Sequence, residues 1–125
     1  MVNDGDVTPS IQPKTVINIV RADTDALIGA TTVSRRIHEV APERGVTLEV
    51  FVFASAQRAL TDERRAEFNA AIDDLIASGV PVSACLNFAL KLGATDPLAH
   101  RGIQLEAARE AYLRYTLEGA TVITI

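Results

Sequence analysis

Short runs of apolar, mostly β-branched residues alternate along this chain with longer segments in which apolar residues recur every three or four positions. The short runs are typical of strands buried on both faces, and the longer segments of helices that bury one face. The predicted strands cover residues 15–20, 46–53, 80–84, 102–105 and 120–125, and the predicted helices cover 23–41, 61–78, 86–92 and 106–118. Because parallel neighbours need crossover connections, this order predicts an α/β fold, a three-layer α/β/α domain with a mainly parallel five-stranded sheet.

The ends of the predicted helices carry residues that favour helix starts and stops. Asp23 and Thr61 each offer a side-chain oxygen to a helix N-terminus, and Gly79 follows the second helix as a C-terminal stop. Residues 54–60 are expected to form a loop or a short turn of helix, and residues 94–101 a loop. The first helix has an apolar stripe that we expect to be buried: Ala26, Ala30, Val33, Ile37 and Val40.

Residues 1–13 differ from the rest of the chain because acidic residues, glycine and proline are spread among them. They lack the basic and apolar regions of a signal peptide. No apolar run in the whole chain approaches the roughly 18–20 residues that cross a bilayer. We therefore predict a flexible N-terminal arm over residues 1–13, a single domain over residues 14–125 and no membrane partner.

Charge and composition exclude several classes of function. The 125 residues include 12 Lys and Arg against 16 Asp and Glu, a net charge of −4 without a basic run, so no nucleic-acid partner is expected. Two His and one Cys cannot supply the four ligands of a structural zinc site, and no glycine-rich phosphate loop occurs, so neither a metal nor a cofactor is expected. A lone Cys forms no internal disulfide and suits a reducing compartment, which predicts a cytoplasmic protein.

Functional groups of open α/β sheets gather where the parallel strands end at their carboxyl termini. Cys85 lies at such a place, between the third predicted strand and the short helix that follows. Unpaired backbone N–H groups at such a junction favour the thiolate and make the sulfur nucleophilic. Free Cys is also among the residues most often buried, so the residues alone leave a reactive Cys85 and a packed Cys85 both open.

Other polar side chains follow the same strand ends and form the rest of the candidate site. They are predicted to bind a substrate or to support Cys85, or to contact a small metabolite if Cys85 is only packed. These residues are Arg21 and Asp23 after the first strand, Ser55 and Gln57 after the second, and Asn87 after the third.

Residues 79–93, Gly-Val-Pro-Val-Ser-Ala-Cys-Leu-Asn-Phe-Ala-Leu-Lys-Leu-Gly, resemble a block of the DsrE/DsrF-like family, which includes the YchN-type proteins. The shared features are a Gly-Val pair, a strand, a Cys, an Asn two residues later and a short helix that ends at Gly. The remaining predicted elements fit the family over about residues 14–125, but residues 53–56, Phe-Ala-Ser-Ala, replace the polar His-Gly turn of many members. The resemblance implies a three-layer α/β/α fold, a homotrimer or a larger ring such as a hexamer, and a persulfide on Cys85.

By this resemblance we expect a cytoplasmic sulfur-carrier or sulfur-transfer protein that exchanges sulfur with donor and acceptor proteins through Cys85 and needs no cofactor. Asn87 or nearby backbone N–H groups would stabilise the persulfide anion. The alternative is a non-catalytic oligomeric member of the same fold, with a ligand-binding or structural role and a packed Cys85. The last predicted helix has more apolar residues than one sheet face covers, which also predicts a homo-oligomer.

Overall fold

The computed structural model of the protein describes residues 12–125, and most of the predicted N-terminal arm lies outside the described residues. Within them, five strands form one sheet: β1 (Lys14–Ile19), β2 (Thr47–Val52), β3 (Val82–Cys85), β4 (Gln104–Glu106) and β5 (Thr121–Thr124). The helices are α1 (Thr24–Val40), α2 (Ala54–Ala59), α3 (Ala66–Ala77), α4 (Leu86–Leu92), α5 (Thr95–His100) and α6 (Ala108–Leu117). Two short 3₁₀ turns, Pro42–Arg44 and Glu63–Arg65, precede β2 and α3.

The sheet is parallel throughout the described residues, with the strand order β4-β3-β2-β1-β5. Ile17 of β1 lies opposite Val50 of β2, and Val52 of β2 lies opposite Ala84 of β3. These side chains are completely buried, because helices cover both faces of the central strands. The predicted α/β class and the five-stranded parallel sheet are confirmed.

The two faces of the sheet are covered unequally. On one face the first five helices bury a large apolar cluster, in which Leu27 of α1 and Ile72 of α3 pack against the central strands. On the other face a smaller cluster includes Ala111 and Tyr115 of α6. Because α6 connects β4 to β5, which lie at opposite edges, it crosses the whole width of the sheet.

The buried face of α1 differs from the predicted stripe. Val33 and Val40 are exposed, whereas Thr31 and Ser34 are buried. The Thr31 hydroxyl donates a hydrogen bond to the Leu27 carbonyl at 3.0 Å, and the Ser34 hydroxyl donates to the Ala30 carbonyl at 2.7 Å. Because both hydroxyls have hydrogen-bond partners within the helix, Thr31 and Ser34 can be buried against the rest of the protein. The buried face of α1 therefore includes these two residues and excludes the two valines.

Several predicted boundaries were wrong. Thr61 does not cap the second long helix, because Asp62 begins a 3₁₀ turn there and accepts a hydrogen bond from the Arg64 backbone N–H. The predicted loop over 94–101 contains α5, whose first turn tolerates proline because its N–H groups lack helical partners. The third strand extends to Cys85, which pairs with Glu106. Glu106 was predicted to begin the last helix but is the last residue of β4, and that helix begins at Ala108.

A buried carboxylate joins α6 to the sheet. Glu49 of β2 is only 5% exposed, and its Oε2 accepts hydrogen bonds from Arg114 Nη2 at 2.7 Å and from the Tyr115 hydroxyl at 2.9 Å. Its Oε1 accepts from Lys14 Nζ at 3.0 Å. Arg114 also bonds to Glu106 at 2.9 Å, so one guanidinium connects α6 with both β2 and β4.

The Glu49 side chain stays ionised because its partners outweigh its burial. Burial raises the pKa of Glu49, but hydrogen bonds from Arg114, Lys14 and Tyr115 lower it by more and hold it below its ordinary value of 4.5. A carboxylate with a lowered pKa contributes stability above that ordinary value and loses it as the pH falls through the folded-state pKa. The attachment of α6 should therefore weaken in acid, below about pH 4.5.

We predict that Glu49→Gln lowers the free energy of unfolding by about 2 kcal/mol at neutral pH, because it removes the buried anion that Arg114 and Lys14 share and leaves them only the more exposed Glu106 and Glu118. Breaking a fully buried ion pair would cost more free energy, but Lys14 and Arg114 both keep contact with solvent. Urea unfolding at a series of pH values measures this, and the difference between wild type and variant should shrink below about pH 4.5. Glu39→Gln, an exposed ion-pair residue of α1, is the control and should change stability by less than about 0.5 kcal/mol. Equal effects of the two substitutions would contradict the prediction.

Candidate functional site

Cys85 is the last residue of β3 and directly precedes α4, at the carboxyl edge of the sheet where the sequence placed it. Its backbone continues the strand, because it pairs with Glu106 of β4. The chain then turns into α4, which ends at Gly93 in the left-handed conformation (φ +63°). The strand, the Cys and the short helix that ends at Gly are thus present as predicted.

The Cys85 side chain is buried. It is 5% exposed and belongs to the apolar cluster under α6, together with Val16, Phe51, Ala111 and Tyr115. Phe53, Phe88 and Tyr112 pack around this cluster and are half-buried. The thiol therefore lies in an aromatic environment beneath a helix, and does not project freely into solvent.

Gln57 holds the Cys85 backbone from the side of β2. Its side chain is completely buried in α2, its Nε2 donates to the Cys85 carbonyl at 2.9 Å, and its Oε1 accepts from the Cys85 N–H at 3.1 Å. The Gln57 amide thus occupies the place of a peptide group of the neighbouring strand, which has already turned away into α2. Both ends of this amide are used, so Gln57 positions Cys85 and is not free to contact a ligand.

A strained residue produces the turn that brings Gln57 to Cys85. Ala54 has φ +56°, in the left-handed region, which costs a residue with a Cβ roughly 1–2 kcal/mol. It follows Phe53 directly after β2, within the segment that differs from the polar His-Gly turn of many DsrE/DsrF-like proteins. The backbone keeps a conformation that glycine adopts easily although the residue here is alanine.

A surface pocket lies beside Cys85. Besides Cys85 itself, it is lined by side chains from β2, α4 and α6 and from the residues that flank them: Phe53, Asn87, Phe88, Lys91, Ala108 and Arg109. The rings of Phe53 and Phe88 meet edge to face, with their centroids 6.2 Å apart. The pocket therefore combines a thiol, aromatic rings, an amide and cationic side chains.

The predicted site residues after the first strand form a pair of their own. Arg21 donates two hydrogen bonds to the Asp23 carboxylate, at 3.0 and 3.1 Å, and Asp23 also caps α1 by accepting from the Ala26 N–H. These residues follow β1, and β2 lies between β1 and the strand that carries Cys85. Ser55 is exposed on α2. Of the predicted set, the structure joins Gln57 and Asn87 to Cys85 and leaves Arg21, Asp23 and Ser55 outside the pocket lining.

Some residues around Cys85 were not predicted from the sequence to belong to the site. Lys91 and Arg109 line the pocket but are distant in sequence from each other, and only the fold brings residues of α4 and α6 to the same pocket. The Tyr112 ring lies 5.5 Å from that of Phe51, and its hydroxyl donates to Asn18 at 3.1 Å. Burial raises the pKa of Tyr112, and a negative charge on Cys85 would add to that rise, so the phenol stays protonated.

Two larger or more enclosed cavities lie away from Cys85. One lies between α1 and α3, beside Arg35, His38 and Asp74, and the other lies at the amino ends of β1 and β2. Within residues 12–125, no three or more His, Cys, Asp or Glu side chains are grouped so that they could hold a metal ion. No helix of this part of the chain is long and apolar enough to cross a membrane.

No family model and no curated protein matches this sequence, but solved structures share its fold. The structure of a conserved protein of unknown function, BT1422 from Bacteroides thetaiotaomicron, has a TM-score of 0.78 at 13% identity, covering 94% of this chain and 99% of that one. MTH1491 from Methanobacterium thermoautotrophicum, also of unknown function, has a TM-score of 0.73 at 19% identity, covering 90% and 98%. The ychN protein from E. coli has a TM-score of 0.64 at 19% identity, covering 91% and 98%.

These similarities cover almost the whole of each chain and show a common fold. The YchN-type fold that residues 79–93 implied is therefore present here. At these identities the similarity extends to the fold and not to an activity, because one fold supports many functions.

We predict that Gln57→Met lowers the free energy of unfolding by about 2–4 kcal/mol, because the buried N–H and carbonyl of Cys85 both lose their partner. The side chains have similar size, so little of the effect would come from a cavity. Gln104→Met, at an exposed position of β4, is the matched control and should have an effect near zero. Chemical denaturation measures both variants, and a Gln57→Met effect as small as that of the control would contradict the positioning role.

Proposed function

We propose that this protein is a sulfur carrier that holds a persulfide on Cys85. The observation that carries the proposal is the position of the thiol: it lies at the carboxyl end of β3 and lines a pocket together with Asn87 and cationic side chains. The fold shared with the ychN protein supports the same reading, since the segment with the Cys occupies the strand-to-helix junction that the family resemblance implied. A reducing compartment such as the cytoplasm would keep this lone thiol free.

The reaction is an exchange at sulfur and needs no cofactor. The Cys85 thiolate attacks the outer sulfur of a donor persulfide, R–S–SH, and its electron pair forms the new S–S bond. The donor S–S bond breaks, and its electron pair leaves on R–S⁻, so that Cys85–S–SH forms without net oxidation or reduction. The thiolate of an acceptor protein then attacks the same outer sulfur and releases the Cys85 thiolate.

Asn87 and Tyr112 are the side chains that would assist this exchange. Asn87 is exposed, lines the pocket and carries an amide that can donate to a persulfide anion. The Tyr112 phenol stays protonated but already donates to Asn18, so its part is to pack over the sulfur. Gln57 keeps the Cys85 backbone in place during the exchange.

The burial of Cys85 favours a second candidate, a ligand-binding or structural protein in which the thiol is only packed. A side chain that is 5% exposed and surrounded by Phe51 and Tyr115 is typical of a core Cys. In that case the pocket would hold a ligand without forming a bond to sulfur. The two functions differ in whether the native thiol accepts sulfur.

We predict that the native protein gains the mass of one sulfur atom after exposure to a persulfide donor, and that Cys85→Ala abolishes the gain. Alanine is preferred to serine because a buried hydroxyl without a partner would cost about 1–3 kcal/mol. Intact-protein mass spectrometry measures the gain, and circular dichroism checks that the variant folds.

The control is the double variant Cys85→Ala, Ala77→Cys, which places the only thiol at an exposed site at the end of α3, outside the cavities described above. It should load more slowly or lose the sulfur sooner than the wild type, since no pocket surrounds it. Equal loading of both proteins, or none in the wild type, would refute the carrier function and favour the packed Cys85.

We also propose that the protein forms a homo-oligomer, a trimer or hexamer. Apolar side chains are exposed on α6 and on the edge strand β5, among them Leu113 and Leu117 of the helix and Val122 and Ile123 of the strand. Leu117 is 87% exposed. Groups of exposed apolar side chains of this kind are typical of surfaces that other subunits cover.

Light scattering at micromolar concentration should therefore give three or six times the chain mass of 13.4 kDa. The double variant Leu113→Lys, Leu117→Lys should lower the measured mass, because it places charges in the proposed interface. Val40→Lys, on the exposed face of α1, serves as the control and should leave the mass unchanged. A wild-type mass near 13.4 kDa would overturn the proposal.

A further inference from the structure

We propose that the pocket beside Cys85 recognises a small thiol or persulfide that carries carboxylates, and that Lys91 and Arg109 bind those carboxylates. This inference rests on the proposed sulfur exchange and adds the chemical class of the molecule that exchanges with Cys85. It follows from the charge, the lining and the size of the pocket.

The pocket is cationic although the protein is acidic. The chain has a net charge of −4, yet Lys91 and Arg109 both line the pocket. The guanidinium of Arg58 lies 5.1 Å from the ring centroid of Phe88, which also lines it. A local excess of cations raises the concentration of anions near a site and favours their binding.

Little in the described structure neutralises these cations. Arg109 contacts Glu110 at 3.3 Å, but both side chains are well exposed, so the pair is weak. Glu106, at the end of β4, is held by Arg114. Among residues 12–125, Lys91 and Arg58 form no salt bridge. Lys91 and Arg109 are thus available to an incoming carboxylate.

The size and lining of the pocket suit a small molecule. Its volume of about 390 Å³ lies in the range of small-ligand sites. Phe53 and Phe88 give it an apolar wall, and Asn87 offers an amide. A peptide-like thiol with carboxylates at its ends would place its sulfur at Cys85 and its charges at the cationic side chains.

This exchange balances atoms and electrons in the same way as the persulfide exchange of the proposed function. The Cys85 thiolate attacks the outer sulfur of the carboxylated persulfide, and the bond to its inner sulfur breaks with the electron pair on that sulfur. The leaving group is a thiolate that also carries carboxylates, so Lys91 and Arg109 offset more negative charge as the bond breaks. A neutral persulfide of the same size lacks this stabilisation.

Binding of S-methylglutathione to the wild-type protein tests the recognition without sulfur chemistry, because this thioether has no exchangeable sulfur. Chemical-shift titration should show saturable changes at the amides of Asn87, Lys91 and Arg109. The double variant Lys91→Gln, Arg109→Gln should bind about tenfold more weakly, and the dimethyl ester of the probe should bind as weakly to the wild type.

The matched control is the double variant Arg35→Gln, Arg36→Gln, which removes the same charge from exposed positions on α1. It should bind S-methylglutathione as the wild type does. No saturable binding, equal weakening in both double variants, or equal binding of the ester would each overturn the proposal.

The rates at which Cys85 reacts with two aromatic disulfides separate this inference from the proposed function. The anionic dithiobis(nitrobenzoate) should react several-fold more slowly with Lys91→Gln, Arg109→Gln than with the wild type, while the neutral dithiodipyridine should react equally with both. Equal slowing of both reagents would contradict anion recognition. Binding of S-methylglutathione without persulfide loading would support the carboxylate-binding site and refute the sulfur carrier. Persulfide loading without binding of S-methylglutathione would support the sulfur carrier and refute the carboxylate-binding site.

Discussion

The attachment of α6 to the sheet is the constraint on which the rest of the structure depends. This helix has 10 residues and crosses the sheet between the two edge strands, yet it buries only Ala111 and Tyr115 completely. Tyr115 is the largest completely buried side chain, and its hydroxyl needs a hydrogen-bond partner inside the structure, so polar contacts must accompany the apolar burial that holds the helix. Glu49 supplies them, because three donors offset the cost of removing its carboxylate from water.

The environment of Cys85 follows from this attachment. With α6 in place, Ala108 and Tyr112 lie over the cluster that contains the thiol, while Gln57 holds its backbone from the other side. The same helix carries Arg109 to the pocket that Cys85 lines. Burial of the thiol and its position beside a cationic pocket therefore have one cause, and a loosened α6 would change both together.

The parts of the fold that could be predicted are those with a local signal. β1 and β2 are runs of β-branched and apolar residues, and they form the centre of the sheet. The buried face of α1 could not be predicted from apolar spacing, because Thr31 and Ser34 satisfy their hydroxyls within the helix and are buried. The family-like segment around Cys85 placed the thiol at the end of a strand, and that placement is correct.

The remaining parts of the site depend on tertiary packing. Gln57 was selected only because it follows a strand, and nothing local indicates that its amide would replace a strand neighbour of Cys85. Lys91 and Arg109 look like ordinary exposed residues of their helices until the fold brings both to the pocket beside Cys85. Arg21 and Asp23 were predicted to belong to the site but have structural roles instead. Arg21 donates hydrogen bonds to Asp23, and Asp23 caps α1.

A sulfur carrier requires that Cys85, although buried, reacts from the folded state through the pocket beside it. The most direct test is the rate of its alkylation by neutral iodoacetamide at increasing urea concentrations below the unfolding transition. Reaction through the pocket predicts a rate that stays nearly constant over this range. A rate that rises in proportion to the unfolded population would mean that the thiol is reached only by global unfolding, and it would contradict a functional Cys85.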